Sequence, residues 1–212
     1  MKRIIPVLTA TIFVLSGCVN TASRSSQVDY SETYRQAYMA MQKGEWLTYK
    51  KLMRTVIDKS TASNAPAEKR SIYWYEYGRA SGVVCDWDDA EFSLTVSNNL
   101  DSKSGGPAYM SMNELGRISV VRKQFDKAVD YFTRGMKGFA EYQGKLSNKE
   151  YKPQLADAEI LEEFAYALEQ VKGNPNDVQR LKESAAEVRK IVVASGATNS
   201  DITPYGTQCK TR

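Results

Sequence analysis

Hydrophobic and polar positions divide the chain into an apolar leader, a short polar stretch and a long region of helical periodicity. Ile4 to Leu15 is apolar apart from Pro6, Thr9 and Thr11, and Lys2 and Arg3 precede it. It falls short of the roughly 20 apolar residues that a helix needs to cross hydrocarbon. Residues 20–28 (NTASRSSQV) are small, polar and poor in core formers, which predicts a flexible tether. Beyond them the period changes. Asp177 to Val193 brings Val178, Leu181, Ala185, Val188 and Val192 to one face, and Leu155 to Val171 predicts another helix, stopped by Gly173-Asn174-Pro175-Asn176. Ser60 to Lys69 (STASNAPAEK), Leu100 to Pro107 (LDSKSGGP) and Gly144 to Pro153 predict loops, and Ser195 to Arg212 reads as a loop-like tail.

Between tether and tail one arrangement recurs. Ala37, Gly78 and Gly116 each stand in an apolar-aromatic helical segment, and an aromatic residue follows nine positions later at Trp46, Trp87 and Phe125. Ala90 and Ala128 lie twelve positions after Gly78 and Gly116. Small residues at these places remove bulk where two helices cross, while the aromatic plugs the hairpin end and Asp88 and Asp126 are placed to cap the second helix.

This arrangement resembles the tetratricopeptide repeat (TPR). The resemblance implies an all-α fold, a short right-handed solenoid of antiparallel helix hairpins. About three repeats and a C-terminal capping hairpin would span residues 29–194, with 195–212 outside. The chain departs from the family in having Tyr49 where an alanine is expected, in lacking the terminal proline, and in a repeat longer than the usual period of about 34 residues. Peptides in such arrays lie on the concave face formed by the first helix of each hairpin. Carried over, that implies a groove of Tyr34, Tyr38 and Met41, then Tyr75, Arg79 and Val83, then Asn113, Arg117 and Val121. Two readings of Arg79 and Arg117 stay open: a grip on an acidic or C-terminal segment of a partner, or pairing with Glu76 and Glu114.

The leader ends in Leu15-Ser16-Gly17-Cys18, which resembles a bacterial lipobox. The resemblance implies a signal peptide at 1–17, cleavage after Gly17 and lipid on Cys18, which anchors the chain to a membrane through residues 18–28. Val19, where an aspartate tends to retain such proteins at the inner membrane, implies the outer membrane. An ordinary secretory signal with Cys18 incidental is the alternative.

Charge and composition narrow the function classes. The formal charge of +4 falls to +2 once Lys2 and Arg3 leave with the leader, and both signs are interspersed, which is not the footprint of a nucleic-acid binder. The chain has no histidine, so Ser-His and Cys-His nucleophilic pairs and the commonest zinc sites are excluded. Asp86, Asp88 and Asp89 lack the calcium-loop pattern, and Glu162 and Glu163, adjacent on a helix, do not face one another. No catalytic residue, metal site or cofactor is expected. Of three cysteines Cys18 is assigned to lipid; Cys85 and Cys209 form either a disulfide, as an oxidising compartment permits, or two separate thiols. The expected function is a periplasm-facing scaffold or assembly factor for a cell-envelope machine serving secretion, pili or wall, with another envelope protein as partner. Alternatives are an activator or component of peptidoglycan metabolism and a surface lipoprotein binding an extracellular ligand.

Overall fold

The computed structural model describes residues 30–145, 151–196 and 202–209. The leader, Cys18 and the tether lie outside the described residues. Four helix hairpins follow one another: α1 (Ser31–Gln42) with α2 (Trp46–Ala62), α3 (Ala67–Val83) with α4 (Trp87–Ser104), α5 (Tyr109–Val121) with α6 (Phe125–Lys145), and α7 (Leu155–Gln170) with α8 (Pro175–Ala194). Among the described residues there is no strand.

One device ends every first helix. Gly44, Cys85, Lys123 and Lys172 take left-handed backbone conformations. The next amide then reaches back five residues, Glu45 to Ala40, Asp86 to Ser81, Gln124 to Ser119 and Gly173 to Leu168, all at 2.8–2.9 Å. This satisfies carbonyls that the helix end would otherwise orphan. Seven residues before each left-handed position stands the small residue: Ala37, Gly78, Gly116 and, in the last hairpin, Ala165, which is fully buried. The last hairpin is therefore built on the same plan as the other three. Its turn is one residue longer, with Pro175 as the first helical residue and the Asn174 side chain accepting from the Asn176 amide at 2.9 Å.

The close crossings fall where the small residues predict them. A Cβ on Gly78 would sit 2.7 Å from Leu94 Cγ, and one on Gly116 would sit 2.8 Å from the Phe132 ring. Ala37, Ala90 and Ala128 are completely buried. One core joins Met53, Val56, Val83, Leu94, Leu115 and Ile118 across the first three hairpins. Phe132 and Phe164, with ring centroids 5.4 Å apart, carry the packing to the fourth.

Three expectations are corrected. Ser60–Ala62 belongs to α2, Ala67–Lys69 to α3 and Leu100–Ser104 to α4, so the extra repeat length lies largely in helix. Serines there close hydrogen bonds along their own helix, as Ser104 does with the Leu100 carbonyl at 3.0 Å. Asp88 and Asp126 are the second residues of α4 and α6 rather than caps, where their charge suits the positive helix end. The capping position of α4 is Asp86, whose carboxylate instead meets Lys50 Nζ. Finally, residues 202–209 are not a loose tail: Thr203 is 1 % exposed, and Tyr205 is a member of the main core.

Candidate functional site

The first helices α3, α5 and α7 pack side by side, and the repeat puts like residues in register on their shared face. Two positions before the small residue each carries a glutamate: Glu76, Glu114 and Glu163. One position after it α3 and α5 carry Arg79 and Arg117, whereas α1 and α7 carry Tyr38 and Tyr166. These charges form a ladder. Arg79 pairs with Glu76 at 3.0 Å, and Arg117 with Glu114 at 2.8 Å and with Glu163 of α7 at 3.2 Å. Tyrosine hydroxyls brace the rungs, Tyr49 donating to Glu76 at 2.7 Å and Tyr75 to Glu114 at 2.9 Å.

A segment of the chain itself, with turns over residues 205–208, lies across this ladder. Ile202 lines a surface pocket together with Glu163 and Tyr166 of α7. Thr203 lies between the two arginines: its hydroxyl accepts from Arg79 Nε at 2.6 Å and its carbonyl from Arg117 at 2.9 Å. The Tyr205 ring stacks under the Arg117 guanidinium, 5.0 Å to the centroid, and its hydroxyl donates to Glu114 at 2.9 Å. The ring occupies space that Gly82 leaves open, since a Cβ there would be 2.6 Å from it. The amides of Gly206 and Gln208 donate to the carbonyls of Gly82 and Val83, and the Gln208 side chain reaches the Gly44 carbonyl in the first hairpin turn. Cys209 is joined to Cys85 by a disulfide, with Cα atoms 5.0 Å apart.

Burial and charge set the ionisation of the cluster. Burial alone would push Glu114 up, but the Arg117 and Arg79 charges and the hydrogen bonds from Tyr205 and Tyr75 outweigh it and hold its carboxyl below the ordinary value. Glu163 goes the other way, raised by burial despite Arg117. Burial and the Glu114 charge push the phenols of Tyr75 and Tyr205 well up, so both remain hydrogen-bond donors.

The structure places the sequence-predicted residues as follows. Arg79 and Arg117 share one face at equivalent turns but are not free: Arg117 is 4 % exposed, and both arginines are spent on Glu76, Glu114, Glu163 and Thr203. Of the two readings left open for them, the pairing with Glu76 and Glu114 is present, and residues 203–205 cover both side chains. Tyr75 belongs to the same network. Val83 is completely buried in the core and offers no surface. Asn113 is 9 % exposed, with its side-chain oxygen turned towards Gly135 of α6. Tyr34 packs on Tyr73, ring centroids 5.4 Å apart, and Met41 is half-buried against the core. Tyr38 and Val121 are exposed at the margins of the face, at 48 % and 46 %. Glu76 and Glu114 were expected only as alternative partners of the arginines, and Glu163, Gly82, Thr203 and Tyr205 were not among the expected site residues. The signals that mark them are the recurrence of glutamate two residues before the small position and a second glycine in α3 that the helix crossing does not require.

Beyond Ile202 the face continues as a cavity of about 360 Å3 lined by Tyr75, Tyr109, Asn113, Tyr151 and Asp157. The acidic groups singled out in the sequence have structural partners: Asp86 and Asp89 hold Lys50, and Glu162 pairs with Arg189 at 2.6 Å. Among the described residues no cluster of three or more acidic or sulfur ligands could hold a metal ion, and no helix is long and apolar enough to cross a membrane.

No family model and no curated protein matches the sequence. Solved structures do match the fold. BtubC (BKLC) from P. vanneervenii superposes with a TM-score of 0.65 at 10% identity, over 82% of this chain and 67% of that one. A kinesin light chain from Podosopora anserina with nearly identical TPR-like repeats gives 0.54 at 18% identity, over 76% and 74%. A singly substituted form of it gives 0.57 at 17% identity, over 82% and 81%. The fold of this chain is TPR-like, an all-α array of helix hairpins.

Proposed function

We propose that this chain is a lipid-anchored protein-interaction module of the bacterial outer membrane that faces the periplasm and holds extended segments of other envelope proteins, serving the assembly of a cell-envelope machine. The observation that carries the binding half is the chain's own segment 202–208, held on the inner face by side chains of α3 and α5 and by main-chain hydrogen bonds. Side chains from successive repeats converge on one short segment, which is how a repeat array reads a peptide. The anchoring half rests on Lys2-Arg3, the apolar run and Leu15-Ser16-Gly17-Cys18, and the Cys85–Cys209 bond suits an oxidising compartment. The reading assigns the protein no catalysis, since the charged groups of the face are engaged with one another.

Two measurements test the halves separately. Cys18→Ser should accumulate as unprocessed precursor without palmitate labelling; normal cleavage and labelling of that variant would dispose of the anchor. A photo-crosslinking residue at Tyr38 or Tyr166, exposed at the two ends of the ladder, should join the chain to another envelope protein in cells. The same probe at Phe92, exposed at 60 % on α4, should not. Absence of adducts at both tyrosine positions would sink the binding half.

A further inference from the structure

We propose that residues 202–208 act as an internal ligand, and that the face of α3 and α5 recognises a partner segment carrying the same Thr-Pro-Tyr chemistry once the Cys85–Cys209 disulfide has been opened. This rests on the protein-binding reading above and names what the face takes.

The recognition groups come from two successive repeats, through α3 and α5, and from the backbone. Arg79 reads a hydroxyl and Arg117 the carbonyl of the same residue, a pair of contacts that Thr203 makes and an alanine would make only in half. Glu114, held ionised by Arg117, accepts one phenol from the segment while Tyr75 fills its other oxygen, so a tyrosine is selected over phenylalanine two places further on. Gly82 leaves a slot for that ring, and the Gly82 and Val83 carbonyls bind the following amides whatever their side chains. Pro204, exposed between the two reading positions, centres a tight turn in which the Tyr205 amide donates to the Thr203 carbonyl at 3.0 Å.

The disulfide decides the competition. With Cys209 fixed to Cys85, the internal segment is present at an effective concentration in the millimolar range or above, which a free peptide cannot match. Cys209 is exposed and Cys85 half-buried, so the outer sulfur is the one a dithiol reductant reaches. Its thiolate attacks Cys209 Sγ and expels Cys85 as a thiolate. The second thiol of the reductant then displaces Cys209, leaving two cysteine thiols and an oxidised reductant, with two electrons and two protons transferred.

The test uses the full mature chain and a fluorescent peptide, Ile-Thr-Pro-Tyr-Gly-Thr-Gln, that copies residues 202–208. Anisotropy should show no binding to the oxidised chain. It should show saturable binding to the chain carrying Cys85→Ser, Cys209→Ser and Tyr205→Ala, and at least tenfold weaker binding when the peptide's threonine is replaced by alanine or its tyrosine by phenylalanine. Hydrogen exchange of the reduced wild type should show the Gly206 and Gln208 amides opening while α3 to α6 stay protected. Equal binding to the oxidised chain, no binding to a triple variant that keeps its helical circular dichroism, or loss of helical protection together with the segment would each overturn the internal ligand. None of those results touches the Cys18 and crosslinking tests, so the two readings fail separately.

Discussion

Replacing Arg117 by alanine tests the ladder most directly. The Arg117 side chain is 5 % exposed and that of Glu114 10 %, and the guanidinium also meets Glu163, the Thr203 carbonyl and the Tyr205 ring. Removing one partner of a buried pair leaves the other charge uncompensated, a loss of about 3–5 kcal/mol. Glu114 would keep the phenols of Tyr75 and Tyr205 and the nearby Arg79 charge, which puts the loss at the lower end, about 3 kcal/mol. For a domain of this size that corresponds to a fall in Tm of roughly 6–12 °C, followed by circular dichroism. Arg35→Ala is the matched control. Arg35 and Glu32 have the same three-residue spacing, but their side chains are 62 % and 56 % exposed, so Tm should not move. Removing the orphaned charge as well, with Glu114→Ala, should recover part of the loss and give a coupling of about 0.5–3 kcal/mol. An Arg117→Ala chain as stable as Arg35→Ala, or a strictly additive cycle, would refute the buried ladder.

Two further outcomes follow from the same coordinates. Gly116→Leu should lower Tm without altering the face, because even a Cβ would be 2.8 Å from the fully buried Phe132 ring; overpacking of this kind takes about 1–3 kcal/mol or more, and an unchanged Tm would deny the close crossing. Acid should loosen the ladder through Glu114, whose folded value lies below its ordinary 4.5: its contribution is complete above that pH and is lost as pH falls through the folded value. Glu163, raised in the fold, acts with opposite sign and only above 4.5, so the windows are separate. Thermal melts from pH 6 to pH 3 should therefore steepen below about 4.5 in the wild type and less so in Glu114→Gln; equal slopes would remove Glu114 as the source.

The hairpins were legible because the crossing leaves no choice of residue. Only glycine fits against Leu94 and Phe132, and the fixed distance from there to Trp87 and Phe125 spells out the turn. The left-handed turn residues were not legible, since Cys85, Lys123 and Lys172 carry side chains where a glycine would have announced the helix end. Serine-rich stretches misled for a related reason: a hydroxyl that bonds to its own helix, as Ser60 does to Ile57 and Ser104 to Leu100, lets a loop-like composition stay helical. For the site, spacing placed Arg79 and Arg117 on a common face but could not show what covers them. The cover comes from Thr203, 124 and 86 positions away, and no local period encodes a contact at that distance.

That covering segment changes how the whole array should unfold. In a repeat solenoid each unit touches only its neighbours, so terminal hairpins open at little cost to the middle. Here one segment meets the first three hairpins and borders the fourth: Gln208 bonds to the first turn, Cys209 and Gly206 to the second hairpin, Tyr205 and Thr203 to the third, and Ile202 lines a pocket with α7. Fraying at either end then disturbs the segment and, through it, the centre. The oxidised wild type should melt in one step, with calorimetric and van't Hoff enthalpies equal. In Cys209→Ser the loop between Cys85 and Cys209 is no longer closed, which removes about 2–4 kcal/mol. For a domain of this size the corresponding fall in Tm is roughly 4–16 °C. The ends are also uncoupled, so the transition should broaden and the van't Hoff enthalpy should drop below the calorimetric one. A Cys209→Ser chain that melts later than the wild type, or at a lower temperature but just as sharply, would show that the helices are coupled through their own packing and that the segment only adds stability.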